Sequence, residues 1–118
     1  MPIKIKFRTD YADINNTIYE FEDSITISEM IDRFLKKSHL LDRDKNKTLC
    51  IEDGKNGLWV DLKVGGYDFV YNGNIIGQYD KSRKFFHKRS DNRFLKDIFG
   101  NENIVQIGVI STIGIVAG

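Results

Sequence analysis

Ile104-Val105-Gln106-Ile107-Gly108-Val109-Ile110 is apolar almost throughout, interrupted only by Gln106 and Gly108. A strand without polar alternation belongs where both of its faces are covered, at the centre of a sheet. In a mixed sheet that position commonly pairs with the first strand of the chain. Here the first strand is Ile3, Ile5 and Phe7 alternating with Lys4, Lys6 and Arg8, the period-two pattern of one buried and one wet face. Parallel pairing of these two segments, far apart in sequence, is the expectation on which the fold turns.

Working outward, 10–16 reads as a turn-rich connection, and Ile18 and Phe21 with Tyr19, Glu20 and Glu22 read as a second strand closing a hairpin with the first. Ile27, Met30, Ile31, Phe34 and Leu35, extended to Leu41, follow helical spacing, with Glu29, Asp32, Arg33, Lys36 and Lys37 on the opposite side. Thr26-Ile27-Ser28-Glu29 fits a capping box, and Lys36, Lys37 and His39 suit the negative end of the helix dipole. The 42–47 segment reads as a charged loop. Leu49 to Leu62 reads as a hairpin turned at Asp53-Gly54-Lys55-Asn56-Gly57, and Gly65-Gly66 as a break after it. Phe69-Val70-Tyr71 is the next strand, Asn72-Gly73-Asn74 its turn, and Ile75-Ile76-Gly77 its return. A polar, basic excursion over 78–93 follows, then a short helical turn, Phe94-Leu95-Lys96-Asp97-Ile98-Phe99, packed under the sheet.

Composition sets the outer limits. A chain of 118 residues, 41% hydrophobic and 30% charged, fits one domain with one core. Eighteen Lys and Arg stand against seventeen acids, so net charge alone draws it to neither nucleic acid nor an anionic membrane. A lone Cys50 forms no internal disulfide and the opening residues carry no secretory core, which gives a cytoplasmic location as the expectation. The apolar stretch over 104–118, interrupted by Gln106, Ser111 and Thr112, is shorter and more polar than the ~20 residues of a membrane helix. A soluble protein is expected, without a membrane contact.

Hairpin, helix, short strands, helical turn and a closing strand beside the first: this order resembles ubiquitin and its relatives, the β-grasp proteins. The matching segments are the opening strand to Phe7, the helix entry from Ser24 to Leu35, Phe69-Val70-Tyr71-Asn72-Gly73-Asn74, and the region from Phe94 to Ile110. The resemblance implies an α+β, β-grasp domain, a mixed sheet on one main helix, spanning 1–118 with an insertion at 78–93 and a C-terminal tail at 111–118. The Leu49 to Leu62 hairpin is a further departure, as is an ending Val116-Ala117-Gly118 where such modifiers usually carry a glycine pair.

Carried over by position, the resemblance places partner binding on the sheet: Lys4, Lys6 and Arg8 of the first strand, Asn72 and Gly73 at the turn, and Ile110 of the last strand. It also makes Gly118 a conjugation candidate, because a modifier's terminal carboxylate is adenylated and passed to a thiol through a narrow channel that a side chain would block. That role requires the chain beyond about Ile110 to be free of the sheet. The apolar tail, without arginine, favours burial or pairing with a partner strand instead.

A rival reading rests on the basic segment. Lys81, Arg83, Lys84, Lys88, Arg89, Arg93 and Lys96 face only Asp80 and Asp91 in the same stretch, leaving the rest of the chain net acidic. Tyr79, Phe85 and Phe86 lie among these cations, where they would stack on bases while the cations meet phosphates, as in single-strand nucleic-acid binders. A solvated loop, or a contact for an acidic protein, uses the same residues.

Other chemistry finds little footing. Asp42, Asp44, Asn46, Thr48, Cys50 and Asp53 have the spacing of a calcium loop, but Lys47 occupies the glycine position and Asp53 that of the bidentate glutamate. His39 and His87 have no zinc-ligand spacing. Cys50 sits in an apolar strand, and no phosphate-binding glycine loop or nucleophile motif occurs. The sequence therefore points to a non-catalytic, ubiquitin-like protein-interaction module or modifier needing no cofactor or metal, with nucleic-acid binding through 81–96 as the alternative.

Overall fold

A computed structural model of the chain describes residues 2–44, 48–51, 58–80, 85–86 and 92–116, with backbone pairing alone for 48–51, 58–64, 85–86 and 113–116. It is an α+β protein. One mixed sheet runs in the order β2-β1-β7-β4-β5-β6, with β3 beside β4. The strands are β1 Pro2–Arg8, β2 Tyr19–Glu22, β3 Thr48–Ile51, β4 Leu58–Tyr71, β5 Asn74–Asp80, β6 Phe85–Phe86 and β7 Val105–Val116; the helices are α1 Ala12–Asn15, α2 Ile27–Ser38, α3 Leu40–Asp44 and α4 Leu95–Phe99.

The deciding pair forms. β1 and β7 run parallel, with Ile5 opposite Val105, Lys6 opposite Gln106, Phe7 opposite Ile107 and Arg8 opposite Gly108. β7 thus lies between β1 and β4, and its inward residues Val105 and Ile107 are buried with Ile3, Ile5 and Phe7. Against them α2 buries Ile27, Met30, Ile31, Phe34 and Leu35. The helix begins where Thr26 Oγ1 accepts a hydrogen bond from the Glu29 amide at 3.2 Å, satisfying a donor that has no partner within the helix. α2 lies so close to β5 that a Cβ at Gly77 would come within 2.6 Å of Ile31 Cδ1. α4 is clipped to the entry of α2 by hydrogen bonds from Leu95 N to Ile25 O and from Ile27 N to Arg93 O, and it buries Leu95 and Phe99.

Several expectations are corrected. The connection after β1 contains α1, which buries Ile14. Ile18 is 46% exposed and precedes β2, whose buried residues are Tyr19 and Phe21. The α2 periodicity does not carry through to Leu41: His39 adopts the left-handed conformation (φ 56°) and α3 starts afresh, taking up Asp42 to Asp44 of the expected charged loop. Gly65-Gly66 does not end a strand, because β4 runs through it, with a shift of register against β7 between Asp61 and Gly65. Gln78, Tyr79 and Asp80, expected in the basic excursion, belong to β5.

Candidate functional site

The outer face of the sheet, opposite α2, is built by strand alternation. Pro2, Lys4 and Arg8 are exposed and Lys6 is half-buried, while the residues between them enter the core. From β7 the same face receives Gln106, Gly108 and Ile110, because Ile107 is buried and Val109 packs against the core. β4 contributes Asp68 and Val70, which alternate with buried Tyr67 and Phe69. Register then fixes the neighbours. Gly108 sits between Arg8 and Val70, Ile110 lies opposite Asp68, and Val70 lies opposite Ile75. The Asp68 carboxylate is held by Gln78 Nε2 at 2.9 Å.

The result is a small apolar centre between two polar flanks. Ile110 is 55% exposed and Ile75 38%. No side chain rises from Gly108, so the centre is flat there, and isolated cations on one side meet a neutral or acidic strip on the other. Such an arrangement suits a protein contact with an apolar core and polar rim. Among the described residues, β1 pairs with β7 only as far as Gly108, so from Val109 onward no strand lies along that side of β7. An unpaired strand edge presents backbone donors and acceptors to any extended segment that reaches it.

The structure brings Lys6, Arg8 and Ile110 onto this one face. Lys4 lies on it too, opposite Glu20 of β2. Asn72 and Gly73 occupy the exposed β4–β5 turn, at φ 51° and 78°, and border the face at the end of β4. Val70 and Ile75 were not singled out from sequence. Their signal was available in the alternation around buried Phe69 and in the tight turn that places Ile75 across from Val70.

The chain beyond Ile110, which conjugation would require to be free, continues the sheet through Val116. Thr112 pairs with Gly66, Ile113 with Gly65, Gly114 with Asp61, Ile115 with Val60 and Val116 with Trp59. Gly118 lies outside the described residues. So do Lys81, Arg83, Lys84, Lys88 and Arg89 of the basic segment. Phe85 and Phe86 form β6, opposite Asp80 and Tyr79, and the ammonium of Lys96 lies 5.7 Å from the Phe94 ring centre.

Away from the sheet face, α3 is held by a polar cluster. Tyr11 Oη donates to Asp44 Oδ1 at 2.5 Å and Tyr67 Oη donates to Asp44 Oδ2, with Asp44 buried. Burial above all, then the bond to Asp44, holds the Tyr67 hydroxyl far above the usual phenol range. Arg43 forks onto Asp13 with bonds of 2.7 and 2.6 Å, tying α3 to α1, and this hydrogen bonding lowers the Asp13 pKa. Asp42 and Asp44 thus belong to a helix, not to a calcium loop. Among the described residues no three His, Cys, Asp or Glu side chains are grouped to hold a metal, and no helix is long and apolar enough to cross a membrane.

Comparison with protein-family models, curated proteins and solved structures finds no match to this chain.

Proposed function

We propose that the chain is a β-grasp, ubiquitin-like domain that works without catalysis, as a surface read by another protein. The order β2-β1-β7-β4-β5, with β1 parallel to β7 and one main helix across a single face, supports the β-grasp reading. The observation that carries the functional reading is Ile110, more than half exposed on the outer face, two residues beyond side-chain-free Gly108 on the side of β7 along which, among the described residues, no strand lies. A large aliphatic residue in that setting suits burial by a partner, with Lys6 and Arg8 at the rim to orient it.

Docking is favoured over conjugation by the pairing of β7 through Val116, since 111–116 would have to leave β4 before a conjugating enzyme could thread it. Site-specific photo-crosslinking tests the reading. A crosslinker at Gln106 is expected to trap a protein partner, one at Arg33 on the helix side is not, and Ile110→Asp is expected to abolish the adduct. Adducts that form equally from Arg33 and survive Ile110→Asp would contradict it. Salt-sensitive binding of single-stranded oligonucleotides, unaffected by Ile110→Asp, would favour the basic segment instead.

A further inference from the structure

Beside the apolar centre the outer face opens into a polar recess of about 300 Å³, lined by Lys6, Phe7, Arg8, Asn15, Asn16 and Gln106. Its composition follows from where β2 stops. β1 pairs with β2 only up to Ile5 opposite Tyr19, so Lys4 has Glu20 across from it while Lys6 and Arg8 lie beyond the acidic strand. Their neighbours are amides: Gln106 stands opposite Lys6 on β7, and Asn15 and Asn16 close the recess from α1 and its C-terminal end.

Among the described residues neither Lys6 nor Arg8 has a carboxylate within ion-pair distance, and Asp13 of α1 is held by Arg43. Asn15 is structural. Its Oδ1 accepts from Thr9 N at 2.6 Å and Thr9 Oγ1 at 2.9 Å, and its Nδ2 donates to Thr9 O at 2.8 Å, which fixes the wall of the recess. The side-chain amides of Asn16 and Gln106 make no hydrogen bond to another described residue. Among the described residues, two cations and two amide donors therefore share this recess without a paired carboxylate.

We infer that this recess is an oxyanion site for a phosphoryl group carried by the protein that docks on the sheet face. A phosphomonoester brings a charge of about −1.5 to −2 and three acceptor oxygens, matching the two positive charges and the amide donors better than a single carboxylate does. Arg8 lies beside Gly108, and Ile110 is two residues further along β7, about 7 Å at the rise of a strand. One peptide segment can thus place a phosphoryl group in the recess and an aliphatic side chain on Ile110. The source of the phosphoryl group rests on the docking reading; the recess itself does not.

Inorganic phosphate titrated into the full chain, followed by NMR, tests the recess without any partner. Saturable shifts are expected at the amides of 6–8 and at the side-chain amides of Asn16 and Gln106. Affinity should fall roughly tenfold or more in the Lys6→Gln, Arg8→Gln double variant, while Lys36→Gln leaves it unchanged. Shifts spread over all surface cations, or unchanged in the double variant, would overturn the site. A phosphoserine peptide with leucines two and four residues from the phosphoserine is the second probe. It should bind at least about tenfold more tightly than inorganic phosphate or its unphosphorylated form, and equal affinity for peptide and free phosphate would overturn the peptide-borne source. Ile110→Asp should weaken the peptide alone, so a failure of the docking reading appears as an unaffected peptide with the phosphate shifts intact.

Discussion

Phe7 of β1 and Phe34 of α2 stack face to face, their ring centres 3.8 Å apart and their planes 20° from parallel. Around them Tyr19 and Phe69 meet Phe34 edge-on at 5.4 and 6.1 Å. Strands β1, β2 and β4 and the main helix therefore converge on one aromatic cluster. Phe34→Ala should cost about 3 to 5 kcal/mol, the range for truncating a fully buried aromatic ring. Denaturant unfolding checks it, and a loss below about 1 kcal/mol would place Phe34 outside the core.

Tyr67 links that core to α3 through Asp44. Tyr67→Phe should cost about 1.5 to 3 kcal/mol, because it withdraws a hydrogen bond from a buried carboxylate. The same residue sets an alkaline limit. Its folded pKa lies above that of the unfolded chain, so above about pH 10 the unfolded state loses a proton that the folded state keeps. Stability present below pH 10 should fall as pH rises, and the fall should flatten in Tyr67→Phe.

Asp13 is shifted in the opposite direction. Arg43 lowers its pKa below the ordinary 3.8, so its contribution is present above that value and is lost as pH falls through the folded pKa. Both partners are partly exposed, and the effect should be local. Protection of the α1 amides, taken relative to their intrinsic exchange rates at each pH, is expected to fall in Asp13→Asn and in acid, with global unfolding little changed.

Gly77 should accept no larger residue. An added Cβ would meet Ile31 Cδ1 at 2.6 Å and Ile27 Cγ2 at 3.0 Å, so Gly77→Val should separate α2 from β5 and cost about 1 to 3 kcal/mol by overpacking. Thermal unfolding of this variant beside Ile110→Asp provides the contrast: the surface change should leave stability nearly unaltered.

Where the sequence was legible, local period and long-range packing agreed. Ile3, Ile5 and Phe7 announced β1, the spacing from Ile27 to Leu35 announced α2, and the near-continuous apolarity from Ile104 to Ile110 announced a strand inside the sheet, although only one of its faces is covered: Val105 and Ile107 are buried while Ile104, Gln106 and Ile110 are exposed. What was misread depended on single contacts. α1 exists because Ile14 is buried, Asn15 bonds to Thr9 and Arg43 grips Asp13, none of which is a periodic signal. Leu41 continues the helical period of α2, yet the left-handed turn at His39 separates it. Two adjacent glycines signalled a break, but Gly65 lies where the register of β4 shifts and the strand continues. For the outer face, the cations of β1 were visible in alternation, and Ile110 came from the resemblance by position. Gln106 beside Lys6 required the parallel register, and Asn16 required a loop fold that no pattern encodes.

β7 is the most direct point of test: it is paired with β4 through Val116 and, among the described residues, open on its other side beyond Gly108. In the antiparallel ladder with β4, alternate amides of 109–115 point toward β4 and the others toward the open side. Residue-resolved hydrogen exchange reads this without knowledge of any partner. The expected result is alternation along 109–115, one set of amides protected nearly as well as Ile107 and the intervening set exchanging rapidly. Rapid exchange at every position would mean a detached tail, uniform protection would mean a covered edge, and either would contradict an open docking strand.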